Sequence, residues 1–215
     1  MLADAEKAAL DAAWQPARRA GVLGNASIEE LWEHTAGFAS AVCSAFSAEC
    51  STWNGRILDA GTGAGVPGVL LACQLPCAEL TLVDGSDRRL DHVRAAVRAL
   101  GLGDRIRIIH GRMDDLAHET DHRAMYDVAV ARLLADPAEA AELILPCVRP
   151  GGIAVVSCRD DQVPAWRHVA AAVRGASDVV TASEPAGAFV TVSISGLLAQ
   201  ELPRRPAARA RTPLI

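Results

Sequence analysis

The sequence predicts an α/β protein in which a mostly parallel sheet carries helices on both faces, preceded by a helical N-terminal extension. Three observations predict it. After Trp53-Asn54-Gly55, short apolar runs alternate with longer amphipathic ones, the pattern of repeated β-α units. A glycine-rich segment, Asp59 to Gly68, stands where the first strand would turn into a helix. Ahead of Trp53 the apolar spacing is helical.

In that first part, apolar residues recur at helical spacing from Glu6 to Arg19 and from Ile28 to Phe46, broken by Pro16 and by the turn Gly21 to Asn25. Asn25 or Ser27 can cap the second helix. Strands are expected at Arg56–Ala60, Glu79–Val83, Arg105–Ile109, Asp127–Ala131, Gly152–Ser157, Asp178–Thr181 and Phe189–Ile194. Helices are expected between them at Val66–Gln74, Asp87–Leu100, Pro137–Val148 and Val163–Val173. The last two strands, separated by Ala182 to Ala188 with a proline and a glycine, read as an antiparallel excursion at the sheet edge. The final dozen residues, rich in Pro, Ala and Arg, read as a tail. The expected organisation is a helical extension over 1–52 packed on an α/β domain over 53–200, with a basic tail over 201–215.

A chain of 215 residues, 51% hydrophobic and 22% charged, is long enough for one sizeable core and short for two. The start Met-Leu-Ala-Asp-Ala-Glu lacks a basic region followed by an apolar stretch, and no apolar run approaches the roughly 20 residues that span a bilayer. A cytoplasmic, membrane-free monomer is expected. The net charge of −5 argues against a surface that coats nucleic acid, while leaving room for a local basic patch. Six cysteines, Cys43, Cys50, Cys73, Cys77, Cys147 and Cys158, form no Cys-x-x-Cys pair and have no histidine at ligand spacing, so buried reduced thiols and no metal are expected.

The segment Ile57-Leu58-Asp59-Ala60-Gly61-Thr62-Gly63-Ala64-Gly65-Val66-Pro67-Gly68 gives a ligand close access to the backbone. Gly63, Gly65 and Gly68 also satisfy G-x-G-x-x-G, with Asp84 about 20 residues further on, so a dinucleotide must be weighed. A pyrophosphate needs free N–H donors at the helix start and no carboxylate beside it; Asp59 supplies a carboxylate and Pro67 removes an N–H. S-adenosylmethionine (SAM) carries no phosphate and has a cationic sulfur and an ammonium, so it suits Asp59 and the loop Gly61, Thr62, Gly63, Gly65 and Val66 better. A tight turn without ligand is the remaining reading. Asp84 can accept from vicinal ribose hydroxyls, each charged hydrogen bond contributing about 1.5–3 kcal/mol; the alternative, a helix cap, is less needed because Ser86 or Asp87 can serve. In Gly111-Arg112-Met113-Asp114-Asp115, Met113 can cover an adenine face and Asp114 accept from its amino group, or the turn is simply a capped helix start.

Taken together, these residues resemble the small-subunit ribosomal RNA methyltransferase G family, also called glucose-inhibited division protein B. The resemblance rests on Asp59 to Gly68 with its Pro67-Gly68, Leu82-Val83-Asp84 followed by Arg88-Arg89, Leu100-Gly101-Leu102, the Gly111 to Asp115 turn, Val130-Ala131-Arg132, and the end Pro203-Arg204-Arg205-Pro206 through Arg211-Thr212-Pro213-Leu214. It implies a seven-stranded, Rossmann-like class I SAM-dependent methyltransferase that methylates N7 of a guanine in 16S ribosomal RNA. It also implies that Gly61 and Val66 contact the cofactor, that Met113 and Asp114 hold its adenosine, and that Arg132 stands in the cofactor pocket as a cofactor-binding residue and lines the methyl-transfer site as the catalytic one. Guanine N7 has a free lone pair, so alignment suffices and the lack of a His or Cys catalytic pair is no objection.

Two stretches depart from the family's pattern. Where it carries Arg-His followed shortly by Asp or Asn, this chain has Trp32-Glu33-His34-Thr35-Ala36-Gly37-Phe38; where it delivers a lysine, this chain has Cys158, with Arg159 next. Both fall on the substrate side, so a small-molecule or peptide acceptor is the competing function, and SAM binding without turnover a third. Arg204, Arg205, Arg209 and Arg211 could track RNA phosphates, or form a solvated end. No aromatic residue accompanies them to stack bases.

Overall fold

The computed structural model describes residues 2–184, 187–212 and 214. Its single sheet has the order β3-β2-β1-β4-β5-β7-β6. The strands are β1 (Arg56–Ala60), β2 (Glu79–Asp84), β3 (Ile106–His110), β4 (Tyr126–Arg132), β5 (Val148–Cys158), β6 (Ala176–Glu184) and β7 (Gly187–Ile194). The first five run parallel to one another, whereas β7 pairs antiparallel with both β5 and β6. All seven expected strands form, each longer than or within a residue of its expected span. Part of the turn between β6 and β7, Pro185 and Ala186, lies outside the described residues, as do Pro213 and Ile215 of the C-terminal segment.

Successive residues of the strands feed opposite cores, as the two-residue strand period requires. Ile57, Val128, Val130, Ile153 and Val155 face one hydrophobic cluster, while Leu58, Ala129, Ala131, Ala154 and Val156 face the other. The first cluster is covered by α1 (Asp4–Arg19), α2 (Ile28–Ala45), α3 (Gly68–Gln74) and α4 (Asp87–Ala99), and the second by α6 (Pro137–Ile144) and α7 (Val163–Ala172). A short α5 (Met113–Leu116) follows β3. The N-terminal helices are part of the core: α1 packs on α4, α2 lies against α3 and β5, and Leu10, Trp14 and Phe38 are fully buried. Ser27 is the cap of α2, its hydroxyl accepting from the Glu30 N–H while Glu30 accepts from the Ser27 N–H. Pro16 does not interrupt α1, which continues through it to Arg19. Among the described residues no helix is long and apolar enough to cross a membrane.

Two further expectations need correction. Cys43 and Cys50 are joined in a disulfide, not held as separate thiols. The chain reverses after α2, with the Ala48 N–H donating to the Cys43 carbonyl, and this brings Cys50 back to the helix end in a way a seven-residue spacing does not announce. Of the other cysteines, Cys147 and Cys158 are buried, Cys73 is half-buried and Cys77 is exposed. The C-terminal segment, in turn, is not a free tail. Arg123 donates to the carbonyls of Leu198, Ala199 and Leu202, and α8 (Pro206–Arg211) folds back onto α6 because Arg204 and Arg209 find carboxylates there.

Candidate functional site

The site begins where β1 ends. Asp59 is buried and its Oδ2 accepts from the Thr62 hydroxyl at 2.6 Å and from the Gly68 N–H at 2.9 Å, closing the loop onto the start of α3. A side chain at Gly68 would collide with this carboxylate, since an added Cβ would lie 2.5 Å from Oδ2. Behind the loop, the Trp14 indole N–H donates to the Ala64 carbonyl at 2.8 Å, so α1 pins the turn from the far side. The other carboxylate oxygen, Asp59 Oδ1, is buried without a partner among the described residues. Burial raises the Asp59 pKa to about 6, against the lowering effect of its Thr62 and Gly68 hydrogen bonds.

At the end of β2, Asp84 lies 3% exposed, accepting from the Gly63 N–H at 3.0 Å and the Ser86 N–H at 2.8 Å and pairing with Arg89 at 3.2 Å. Ser86, not Asp84, caps α4. Beyond β3, Arg112 occupies the cap position of α5, which opens on Met113 and Asp114. Asp114 is gripped by Arg112 at 2.9 Å and by Arg209 of α8 at 2.6 Å. Burial pushes the Asp114 carboxyl up, but the two guanidinium groups outweigh it and hold it below the ordinary carboxylate range.

These strand ends enclose a cleft of about 260 Å³, lined by Gly61, Val83, Asp84, Met113, Asp114 and Leu133 among others. Of the expected cofactor residues it thus gathers Gly61, Asp84, Met113 and Asp114, with Gly63 attached through Asp84. Asp59, Thr62 and Val66 are buried behind the loop, and a Cβ at Gly65 would meet the Val69 side chain, so these positions shape the cleft from within. Gly61 has φ +70 and a Cβ there would lie 2.5 Å from Leu134 Cδ1, which is why the loop needs glycine at that point.

Next to the cleft lies a second cavity of about 330 Å³, lined by Leu31, His34, Arg132, Leu133, Ser157, Cys158 and Arg159 among others. It brings together His34 of α2 and Cys158 of β5, the two departures expected on the substrate side, with Arg132 of β4, which is expected among the cofactor residues but lines this cavity and not the first cleft. Arg132 forms no ion pair among the described residues; burial lowers its pKa and Asp59 opposes that effect. His34 meets Phe38 edge-on and Phe189 at a tilt, and its Nε2 is buried without a partner among the described residues. Burial, reinforced by the Arg132 charge, pushes its pKa down to about 4, so the imidazole is neutral at pH 7.

Four site residues escaped the sequence reading: Trp14, Leu133, Leu134 and Arg209 as a partner of Asp114. Trp14, Leu134 and Arg209 act through contacts across the fold, whereas Leu133 is exposed and lines both cavities. Of the four tail arginines, Arg204 is bound to Glu142 and Arg209 to Asp114 and Glu139, while Arg205 and Arg211 are exposed.

The model of the rRNA small subunit methyltransferase G family (GidB) matches residues 13–162, from the last turns of α1 to the start of α7. The chain belongs to that family. A protein named ribosomal RNA small subunit methyltransferase G from Rubrobacter xylanophilus is 37% identical over 139 residues, 64% of this chain and 51% of the relative. One from Gloeobacter violaceus is 41% identical over 100 residues, 46% of this chain and 39% of that protein. The chain thus spans about half the length, or less, of the curated relatives it matches. Among solved structures it is similar in fold to a putative O-methyltransferase from Klebsiella pneumoniae, with a TM-score of 0.64 at 16% identity over 91% of this chain and 92% of the other. It is similar likewise to the O-methyltransferase TomG from Streptomyces achromogenes, with a TM-score of 0.63 at 18% identity over 87% and 90%. This family member therefore has the class I methyltransferase fold expected of it, and β4, β5 and the loop after Arg132 lie inside the matched region.

Proposed function

We propose that the protein transfers a methyl group from SAM to N7 of a guanine in 16S ribosomal RNA, in the cytoplasm. The observation that carries the reading is the adjacency of two cavities: a cleft lined by the carboxylates of Asp84 and Asp114, and a second chamber holding Arg132, which has no ion pair among the described residues. A dinucleotide fits the first poorly, because the Gly68 N–H at the start of α3 is already given to Asp59. The nucleoside of SAM fits it, with ribose hydroxyls on Asp84, an adenine face on Met113 and an amino group on Asp114.

When bound, SAM supplies an electrophilic methyl group. The protein's own part is orientation. Arg132 donates to the carbonyl edge of the base and leaves N7 free, and neutral His34 avoids placing a second positive charge beside it. No general base is required, because N7 has no proton to lose. On this reading residues 53–200 carry the transfer, residues 1–52 buttress the loop, and Arg205 and Arg211 offer phosphate contacts from the C-terminal segment.

The test is transfer of radiolabelled methyl to small ribosomal subunits, and to their deproteinised RNA, from cells lacking the family enzyme. Label in a guanine is expected, with Asp84→Ala weakening SAM binding by roughly 10- to 100-fold, as loss of charged hydrogen bonds implies. SAM binding with no labelled RNA would sink the acceptor assignment and move the search to small molecules and peptides.

A further inference from the structure

The residue after Arg132 is held in an unusual way. Leu133 has φ +52, a left-handed conformation that a branched side chain rarely adopts. Ser47 and Ala124 share such a φ, but Ser47 follows the C-cap Phe46 of α2, where a left-handed residue is the ordinary helix stop, and Ala124 lies in the turn that leads into β4. Leu133 ends a strand, and no helix stop explains it. It is also 68% exposed, in a chain that buries most of its leucines. Its neighbours point the other way in their chemistry: Arg132 reaches the second cavity and Leu134 packs against Gly61. Leu133 itself lines the cofactor cleft, the cavity of Arg132 and His34, and a third hollow of about 440 Å³ beside α6 and α7.

We propose that Leu133 is an acceptor-positioning residue, whose exposed side chain packs on the face of the base as it enters between the two cavities. The inference rests on the proposed guanine acceptor and goes beyond it by naming the residue that covers the base. An exposed leucine held in a strained conformation where the two cavities meet presents an apolar face to a base that enters between them. The polar groups of the second cavity can bind the edge of a base; Leu133 supplies a face. Strain at this point persists because the flanking residues are fixed on both sides, Arg132 by β4 and Leu134 by Gly61.

The proposal predicts opposite signs for stability and activity. Leu133→Gly and Leu133→Asn relieve the left-handed strain, so Tm should stay level or rise by a few degrees, about 1–4 °C. SAM affinity by calorimetry should change less than about threefold, while kcat/KM for small subunits falls about tenfold or more, chiefly through KM. Leu133→Met, which restores an apolar face, should recover most of that loss. A Leu133→Gly enzyme with wild-type kcat/KM would overturn the proposal and leave the residue a strained loop position. If the wild-type protein binds SAM but labels no RNA, the guanine reading fails and the base-covering role fails with it; labelled RNA with an indifferent Leu133 removes the role alone.

Discussion

Asp59 and Glu142 are each 1% exposed, and each anchors a segment near the proposed cofactor cleft: the glycine loop in one case, and in the other the C-terminal segment whose Arg209 grips Asp114. Asp59 holds the glycine loop with neutral donors, a hydroxyl and a backbone N–H, and keeps one oxygen without a partner among the described residues. Glu142 holds the C-terminal segment with a cation: Arg204 reaches both carboxylate oxygens through its guanidinium, and its backbone N–H adds a 3.0 Å bond. The first arrangement leaves a buried carboxylate whose charge is disfavoured. The second compensates the charge fully but depends on a single partner 62 residues away. Equal burial thus produces a site sensitive to pH in one case and a clasp sensitive to side-chain loss in the other.

The comparison breaks most readily at the clasp. Arg204→Ala leaves Glu142 as a buried, uncompensated charge, and loss of one partner of such a pair costs about 3–5 kcal/mol. Urea or thermal unfolding should show that drop, while a double variant, Arg204→Met with Glu142→Leu, should regain most of it because both charges are gone together. A loss below about 1 kcal/mol in Arg204→Ala would mean that the segment is held mainly by Arg123 and not by Glu142.

At Asp59 the expected effects are smaller and carry a sign in pH. The folded carboxyl titrates at about 6 against an ordinary 3.8, so the folded protein binds the proton more tightly than the unfolded chain does. Stability is therefore greatest below the ordinary value and falls as pH rises through the window from 3.8 to about 6. The shift corresponds to a loss on the order of 3 kcal/mol. Asp59→Asn keeps an oxygen for Thr62 and Gly68 and cannot ionise, so the difference between variant and wild type should grow in the variant's favour across that window. A difference that stays flat with pH would show that Asp59 is not the titrating group. Asp59→Ala strands the Thr62 hydroxyl and the Gly68 N–H and should cost about 2 kcal/mol at low pH, where the desolvation of the charge no longer offsets the loss.

The same contrast explains what could be read from the sequence. Asp59, Gly61 and Gly68 sit within nine residues of one another and report a local turn, so the loop was legible, as were the seven strands, whose apolar runs alternate between the two cores. Asp84 was legible because it stands at a strand end, one element away. The clasp was not, since Glu142 in a helix and Arg204 in a Pro-Arg-rich end carry no mutual signal; the basic end looked solvated although Arg209 is 7% exposed. The Cys43–Cys50 bond depends on a chain reversal, and Leu133 on a backbone angle that its side chain does not advertise. His34 and Cys158 were marked as departures from the family's pattern, and only the fold shows that they line the same cavity.

The finest test of the loop lies on its back, in a contact joining residues 50 apart. Trp14→Phe keeps an aromatic ring in the core under α4 but removes the indole N–H, so the buried Ala64 carbonyl loses its donor. An unsatisfied buried acceptor costs about 1–3 kcal/mol, and the lower end applies here because the ring still fills most of the space. Tm should fall by about 2–5 °C for a chain of this size. The bond lies on the side of the loop away from Asp84 and Met113, so SAM affinity should hold to within about threefold if α1 merely buttresses the loop. A much larger loss of affinity would show instead that α1 sets the position of Gly61 and Gly63, and the N-terminal helix would then have to be counted as part of the cofactor site.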